Sequence, residues 1–223
     1  MSAPEVEDAQ LGLRERKKQQ TRELIADTAR RLFSERGFDR VTVAEIARAA
    51  DVSEQTVFNY FPTKEELVYW RLGSFEEELL STIRDREPGE PALAAFGRFL
   101  LAQRGLLGDP DPDARERLVA LTRMITDSPA LLAREQQIFA RYTASLAELL
   151  AAEQTTDPGD VRPWIAANAM MGVHQALVRH TRRQILDGAP APRLAREVRA
   201  EAERALALLE HGLGRYATRH QPT

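Results

Sequence analysis

Residues 42–61 read TVAEIARAADVSEQTVFNYF, and the fold of the chain turns on them. Thr42 is followed three residues later by Glu45, the spacing of a capping box, and the apolar stripe Val43, Ile46, Ala47 and Ala50 lasts only two helical turns. Asp51 and Val52 connect it tightly to Ser53, a second N-cap. Beyond Ser53, Val57 and Phe61 at i, i+4 point inward, leaving Glu54, Gln55, Thr56, Asn59 and Tyr60 outward, until Pro62 ends the segment. Two short helices joined by a three-residue turn have the layout of a helix-turn-helix, whose second helix lies in the major groove of DNA. The residue types suit that task. Amides at Gln55 and Asn59 can bond adenine bidentately, Thr56 offers a hydroxyl and a methyl to a mixed base edge, and Tyr60 can reach a phosphate.

Upstream, a helix over 14–37 is expected, because Ile25, Ala29, Leu32 and Phe33 fall on one face and Gly37 supplies a left-handed stop. Its basic run from Arg14 to Arg22, with Arg16 and Lys17, can lie along phosphates. Downstream, Thr63 and Glu66 form another capping box and open a long helix to about residue 86, with Gly73-Ser74 in its middle as either a bend or a close-packing point. The break EPGEP at 87–91 and the Asp-, Ser- and Pro-containing stops near 108–112, 127–129, 157–160 and 187–190 delimit five more helices, near 91–107, 112–126, 129–154, 161–187 and 191–216. Sustained period-2 alternation is missing throughout. The expected fold is all-α, with about nine helices. A disordered tail over 1–13 precedes a DNA-binding domain over 14–69 and a helical domain over 70–223.

The whole chain carries −3, with 31 Lys and Arg against 34 Asp and Glu, a balance that on its face argues against nucleic acid. The charge is unevenly divided. Residues 11–64 hold eleven basic and eight acidic side chains, a net +3 that leaves −6 for the rest. The 223 residues include no cysteine, which removes disulfides, thiolate metal sites and Cys nucleophiles and makes a reducing cytoplasm the expected compartment. The acidic opening MSAPEVEDAQ is not a signal peptide, and the longest stretch without a charge, 163–178, is too short to cross a membrane. No Gly-rich phosphate loop, HExxH or Gly-x-Ser-x-Gly elbow is present, and the four histidines lack chelating spacing, so neither catalysis, cofactor nor metal is expected.

The stretch 42–61, the PTKEEL that follows it and the LIADTARRLFSERGFDRVT that precedes it closely resemble the DNA-binding domain of the TetR family of transcriptional regulators. The resemblance covers roughly residues 17–70. It implies that Thr42 bonds a phosphate, that Ser53 caps the recognition helix near the backbone, and that Tyr60 and Lys64 hold phosphates. Three positions depart from the family pattern: Asp51 and Gln55 stand where Gly is frequent, and Phe58 stands where Tyr is usual, removing one hydroxyl that could contact a phosphate.

The second half is expected to dimerise and to bind a small molecule. Ile165, Ala169, Val173 and Ala176 on one long helix and Val198, Ala202, Ala205 and Leu209 on the next offer small and apolar faces for a four-helix interface around a two-fold axis. Trp164, Asn168, Met171 and Gln175 share a face that suits the wall of a pocket for a largely apolar effector, with Phe96, Phe99, Met124 and Phe139 as further walls. The expected function is a homodimeric repressor released from a palindromic operator by that effector. The alternatives are a DNA-binding regulator without an effector and a helical interaction module with a decayed DNA surface.

Overall fold

The computed structural model describes residues 3–70, 73–102, 114–153 and 159–212. Among the described residues there is no strand and there are ten helices: α1 (Ala3–Arg36), α2 (Val43–Ala49), α3 (Glu54–Tyr60), α4 (Glu66–Tyr69), α5 (Gly73–Arg84), α6 (Ala92–Ala102), α7 (Ala114–Asp127), α8 (Pro129–Glu153), α9 (Arg162–Leu186) and α10 (Ala191–His211). The expected stop at 108–112, Asp157, Pro158, the helix end at 213–216 and His220 lie outside the described residues. The tenth helix arises because, among the described residues, the one expected over 63–86 is two, α4 and α5; the capping box expected at Thr63 and Glu66 does not form, since Glu66 is the first residue of α4 and the buried Thr63 hydroxyl makes no hydrogen bond among the described residues. Where a disordered tail over 1–13 is expected, the backbone is helical from Ala3. Pro4 falls in the first turn, where its missing N–H costs little, and Ala, Glu, Gln and Leu follow.

The chain packs as two compact units, Met1–Gly73 with Met124–Leu131, and Ser74–Arg123 with Leu132–Thr223. The first break therefore falls within the Gly73-Ser74 pair.

In the first unit α1 buries Ile25, Ala26, Ala29, Leu32 and Phe33, the face that its periodicity marks. Gly37, at φ +83, turns the chain so that Phe38 returns onto Phe33 with ring centroids 5.0 Å apart. Ile46 and Ala47 of α2 and Val57 with Phe61 from the α3 segment complete the core. Residues 124–131 are tied in by two hydrogen bonds of 3.0 Å: the Ser128 hydroxyl donates to Asp39, and the Tyr69 hydroxyl to the carbonyl of Leu131. Lys64 acts as an internal clamp. Its half-buried ammonium donates to the carbonyls of Phe38 and Val41, at 3.1 Å each, and lies 4.1 Å from the Phe38 ring centroid.

In the second unit α10 packs on α9 and α6. A Cβ on Gly97 of α6 would stand 3.1 Å from Leu206 Cδ1, so this glycine sets the approach of α6 to α10. Arg182 of α9 forks onto the buried Glu135 of α8, and Arg86 onto Glu153 at 2.9 and 2.5 Å. At the centre, the Phe75 ring lies 4.6 Å from His174, 5.1 Å from Phe99 and 5.3 Å from Tyr142, while Phe139 meets His174 edge-on at 5.6 Å. Burial among these rings pushes the His174 imidazole down to about 4. No described helix is long and apolar enough to cross a membrane.

Two outcomes follow from these contacts. Lys64→Met keeps the apolar stem but leaves two carbonyls without their donor, and is expected to lower stability by about 1–2 kcal/mol in urea denaturation. His174 is protonated less readily folded than unfolded, so its contribution is complete above the unfolded value of 6.5 and is lost as pH falls from there towards about 4. Between pH 7.5 and 4.5 the parent should lose on the order of 3 kcal/mol more than a His174→Phe variant. Equal acid sensitivity of the two urea midpoints would remove His174 from that account.

Candidate nucleic-acid interface

The interface is built outward from the two caps. Thr42 accepts the Glu45 backbone N–H at 3.3 Å, while its own N–H and hydroxyl both donate to Glu45 Oε2 at 2.9 Å. Arg36 reaches the other carboxylate oxygen at 2.7 Å. The Thr42 N–H first, then Arg36, then the Thr42 hydroxyl hold the Glu45 carboxyl down to about 2, so this knot is fully ionised at neutral pH. It also means that the hydroxyl implied by resemblance to bond a phosphate already gives its proton to Glu45.

Between the helices, Asp51 adopts φ 54, the left-handed conformation that glycine usually supplies. Its N–H donates to Arg48 at 3.3 Å and the Val52 N–H to Ala47 at 3.0 Å, the paired bonds that close a helix end of this type. Ser53 then caps α3 by accepting the Thr56 N–H at 3.0 Å. Its hydroxyl also pairs with that of Thr56 at 2.8 Å. Thr56 is thus half-buried, with its hydroxyl engaged in the cap, and turns less towards a base edge than its residue type suggests.

Gln55 and Asn59 are exposed and bonded to each other, Gln55 Nε2 donating to Asn59 Oδ1 at 3.1 Å. That bond leaves the Gln55 side-chain carbonyl as an acceptor and the Asn59 amide hydrogens as donors, the two functions adenine requires. Glu54 and Phe58 share this exposed face, Phe58 at 43% exposure. Tyr60 is half-buried at the margin. Lys64 has two of its three N–H donors on carbonyls and is first a structural residue. Arg16 and Lys17 are exposed on α1. The sequence reading missed Arg40, just before α2, and Arg48, in its last turn, both exposed; their closeness to the helix-turn-helix was the available signal.

The residues expected to line a pocket do not form one group. Phe96, Phe99, Phe139 and Met171 are buried in the second unit, and Gln175, one turn after Met171 on α9, is half-buried. Met124 groups with the first unit. Trp164, at 48% exposure, and Asn168 face solvent, the Asn168 amide donating to the Trp164 carbonyl at 2.7 Å. The reason is rotational: α9 buries the arc of Ala167, Met170 and Met171, so the expected stripe straddles its edge.

The residues expected at a subunit interface are divided by burial within one protomer. Val173 and Ala202 are buried within their own unit, Ala169, Val198, Ala205 and Leu209 are half-buried, and only Ile165 and Ala176 are exposed. The open face of α9 runs instead through Val161, Ile165, Asn168, Gly172 and Ala176.

Residues 25–69 match the family described as bacterial regulatory proteins, tetR family, and residues 90–214 match the MftR C-terminal domain. The transcriptional regulator TcmR of Streptomyces glaucescens is 30% identical over 68% of this chain and 69% of its own length. MftR of Mycobacterium tuberculosis is 27% identical over 74% of this chain and 81% of its own. Among solved structures, NalD, the secondary repressor of the MexAB-OprM multidrug efflux pump of Pseudomonas aeruginosa, shares the fold with a TM-score of 0.54 at 22% identity, covering 85% of this chain and 96% of that one. With matched segments reaching from the helix-turn-helix to the end of α10, the chain belongs to the TetR family of bacterial DNA-binding transcriptional regulators.

Proposed function

We propose that the protein is a homodimeric repressor that reads a palindromic operator in the cytoplasm through Gln55 and Asn59 and acts by binding, without catalysis. The supporting observation is the exposed, hydrogen-bonded amide pair on a helix capped at Ser53 and fixed by the Asp51 turn. Arg16, Lys17, Arg40, Arg48 and Tyr60 would add phosphate contacts, and the methyl of Thr56 would touch the edge of the base read by Gln55. One α3 of seven residues spans few base pairs, so a second copy is needed to lengthen the site. The open α9 face, with Val161 and Ile165 each 62% exposed and Trp164 beside them, suits that copy. A small, largely apolar effector would act on the second unit, whose interior is rich in Phe, Tyr and His rings.

The test is selection of sites from random duplex DNA, followed by titration of variants. An inverted repeat should emerge. Asn59→Ala should cost about 1–3 kcal/mol on the selected site and relax preference at one position. Ile165→Glu should give monomers in sedimentation and weaken binding with them, because a charge would be buried without a partner. Equal loss on random and selected DNA for Asn59→Ala would overturn direct reading by the pair, and an unchanged Ile165→Glu dimer would overturn the α9 interface.

A further inference from the structure

The most exposed feature of α3 that its hydrogen-bonding chemistry leaves unexplained is Phe58. It stands at 43% exposure in a segment whose other apolar residues, Val57 and Phe61, are 1% exposed each. At about 100° per residue, Phe58 lies about 60° round α3 from Gln55, on the side away from Asn59, which lies about 40° the other way. The three therefore make one contiguous outward surface, in which an apolar ring adjoins a donor and acceptor edge. With a rise of about 1.5 Å per residue, Phe58 sits about 4.5 Å further along the axis than Gln55, of the order of one base-pair step.

What would cover this ring is constrained by its neighbours. Glu54 precedes it by one turn and shares its exposed flank. A carboxylate there repels phosphate oxygens, and a phenyl ring offers them no donor, so this flank disfavours the sugar-phosphate backbone. In the major groove the apolar group that projects from the base edges is the C5-methyl of thymine, and contact with it is an established use of Phe. The amide pair beside it is matched to adenine, so a thymine at the adjoining step lies within reach of the ring.

We propose that Phe58 is a specificity-determining residue that packs on the 5-methyl group of a thymine, one step from the base pair read by Gln55 and Asn59. This role presupposes that α3 is the recognition helix, and the experiment separates the two. A site is selected from random duplexes with the full-length protein, and each thymine in it is replaced in turn by deoxyuridine, which removes the methyl alone. One thymine per half-site should be sensitive, its replacement weakening the parent by about fourfold, the burial of one methyl. Phe58→Ala should bind the thymine site more weakly by at least that factor and lose the discrimination between thymine and uracil, whereas Phe58→Leu should keep part of it. Circular dichroism of both variants checks that helix content is unchanged. Loss of discrimination confined to Phe58→Ala supports the role. Insensitivity to uracil at every position, a selected half-site without thymine, or an unchanged uracil penalty in Phe58→Ala overturns it, even where Asn59→Ala still relaxes selectivity. Failure of Asn59→Ala to relax selectivity overturns the recognition helix as well.

Discussion

The conformation of one residue, Asp51, underlies the interface. Two helices of seven residues each, α2 and α3, are too short to hold themselves, and what sets their angle is the left-handed turn between them. That turn lets the Val52 N–H reach back to Ala47 and delivers Ser53 to the N-cap of α3 in extended conformation. A side chain in this conformation costs on the order of 1–2 kcal/mol for most residues and less for Asp, which is better tolerated there. The energy is recovered in the burial of Val57 and Phe61 as α3 packs on α2. The direction in which Gln55, Phe58 and Asn59 point thus follows from a backbone angle four residues before the first of them.

The caps extend the same constraint to α1. Glu45 is at once the third residue of α2, the partner of Thr42 and the anchor of Arg36 at the end of α1. Lys64 binds the Phe38 and Val41 carbonyls from the other side of that connection. Three charged residues, Arg36, Glu45 and Lys64, are therefore committed to holding the loop between α1 and α2. Arg36 and Lys64 are types that a search for DNA contacts would assign to phosphates. Their sequence spacing is the same whether they brace the fold or touch a ligand, which is why a motif alone does not separate the two roles.

Local patterns were the legible part of the chain. The capping box at Thr42, the Ser53 cap, the Gly37 stop, the inward pair Val57 and Phe61 and the all-helical fold follow from spacings of three and four residues, and the structure realises them, whereas the box expected at Thr63 and Glu66 has the spacing but does not form. Properties that depend on which way a long helix is rolled were less legible. Met171 and Trp164 share a face of α9 by periodicity, yet one is buried and the other exposed, because the boundary set by α6 and α10 falls between them. Ala202 looks like a small residue prepared for another subunit, but α10 uses it within its own unit. The enclosure of His174 by Phe75 and Phe139 joins residues from three helices, and no local pattern encodes such a cluster.

The charge distribution sets how DNA affinity must be assembled. Of the cations in residues 11–64, Lys18, Arg30, Arg31 and Arg36 lie in ion pairs, Arg22 lies over the Phe61 ring and Lys64 is bonded to carbonyls. Arg16, Lys17, Arg40 and Arg48 remain exposed, with no ion pair among the described residues. Each phosphate neutralised adds about −0.9 to the slope of log affinity against log salt, so these four residues contribute about −3.6 per protomer, and twice that for two protomers. A single protomer therefore holds DNA weakly by charge. The remainder must come from base contacts and from joining two copies, each of which raises selectivity together with affinity. A chain of net charge −3 can bind DNA on these terms because it relies little on general attraction, and the exposed Glu54 carboxylate on α3 sharpens the same preference.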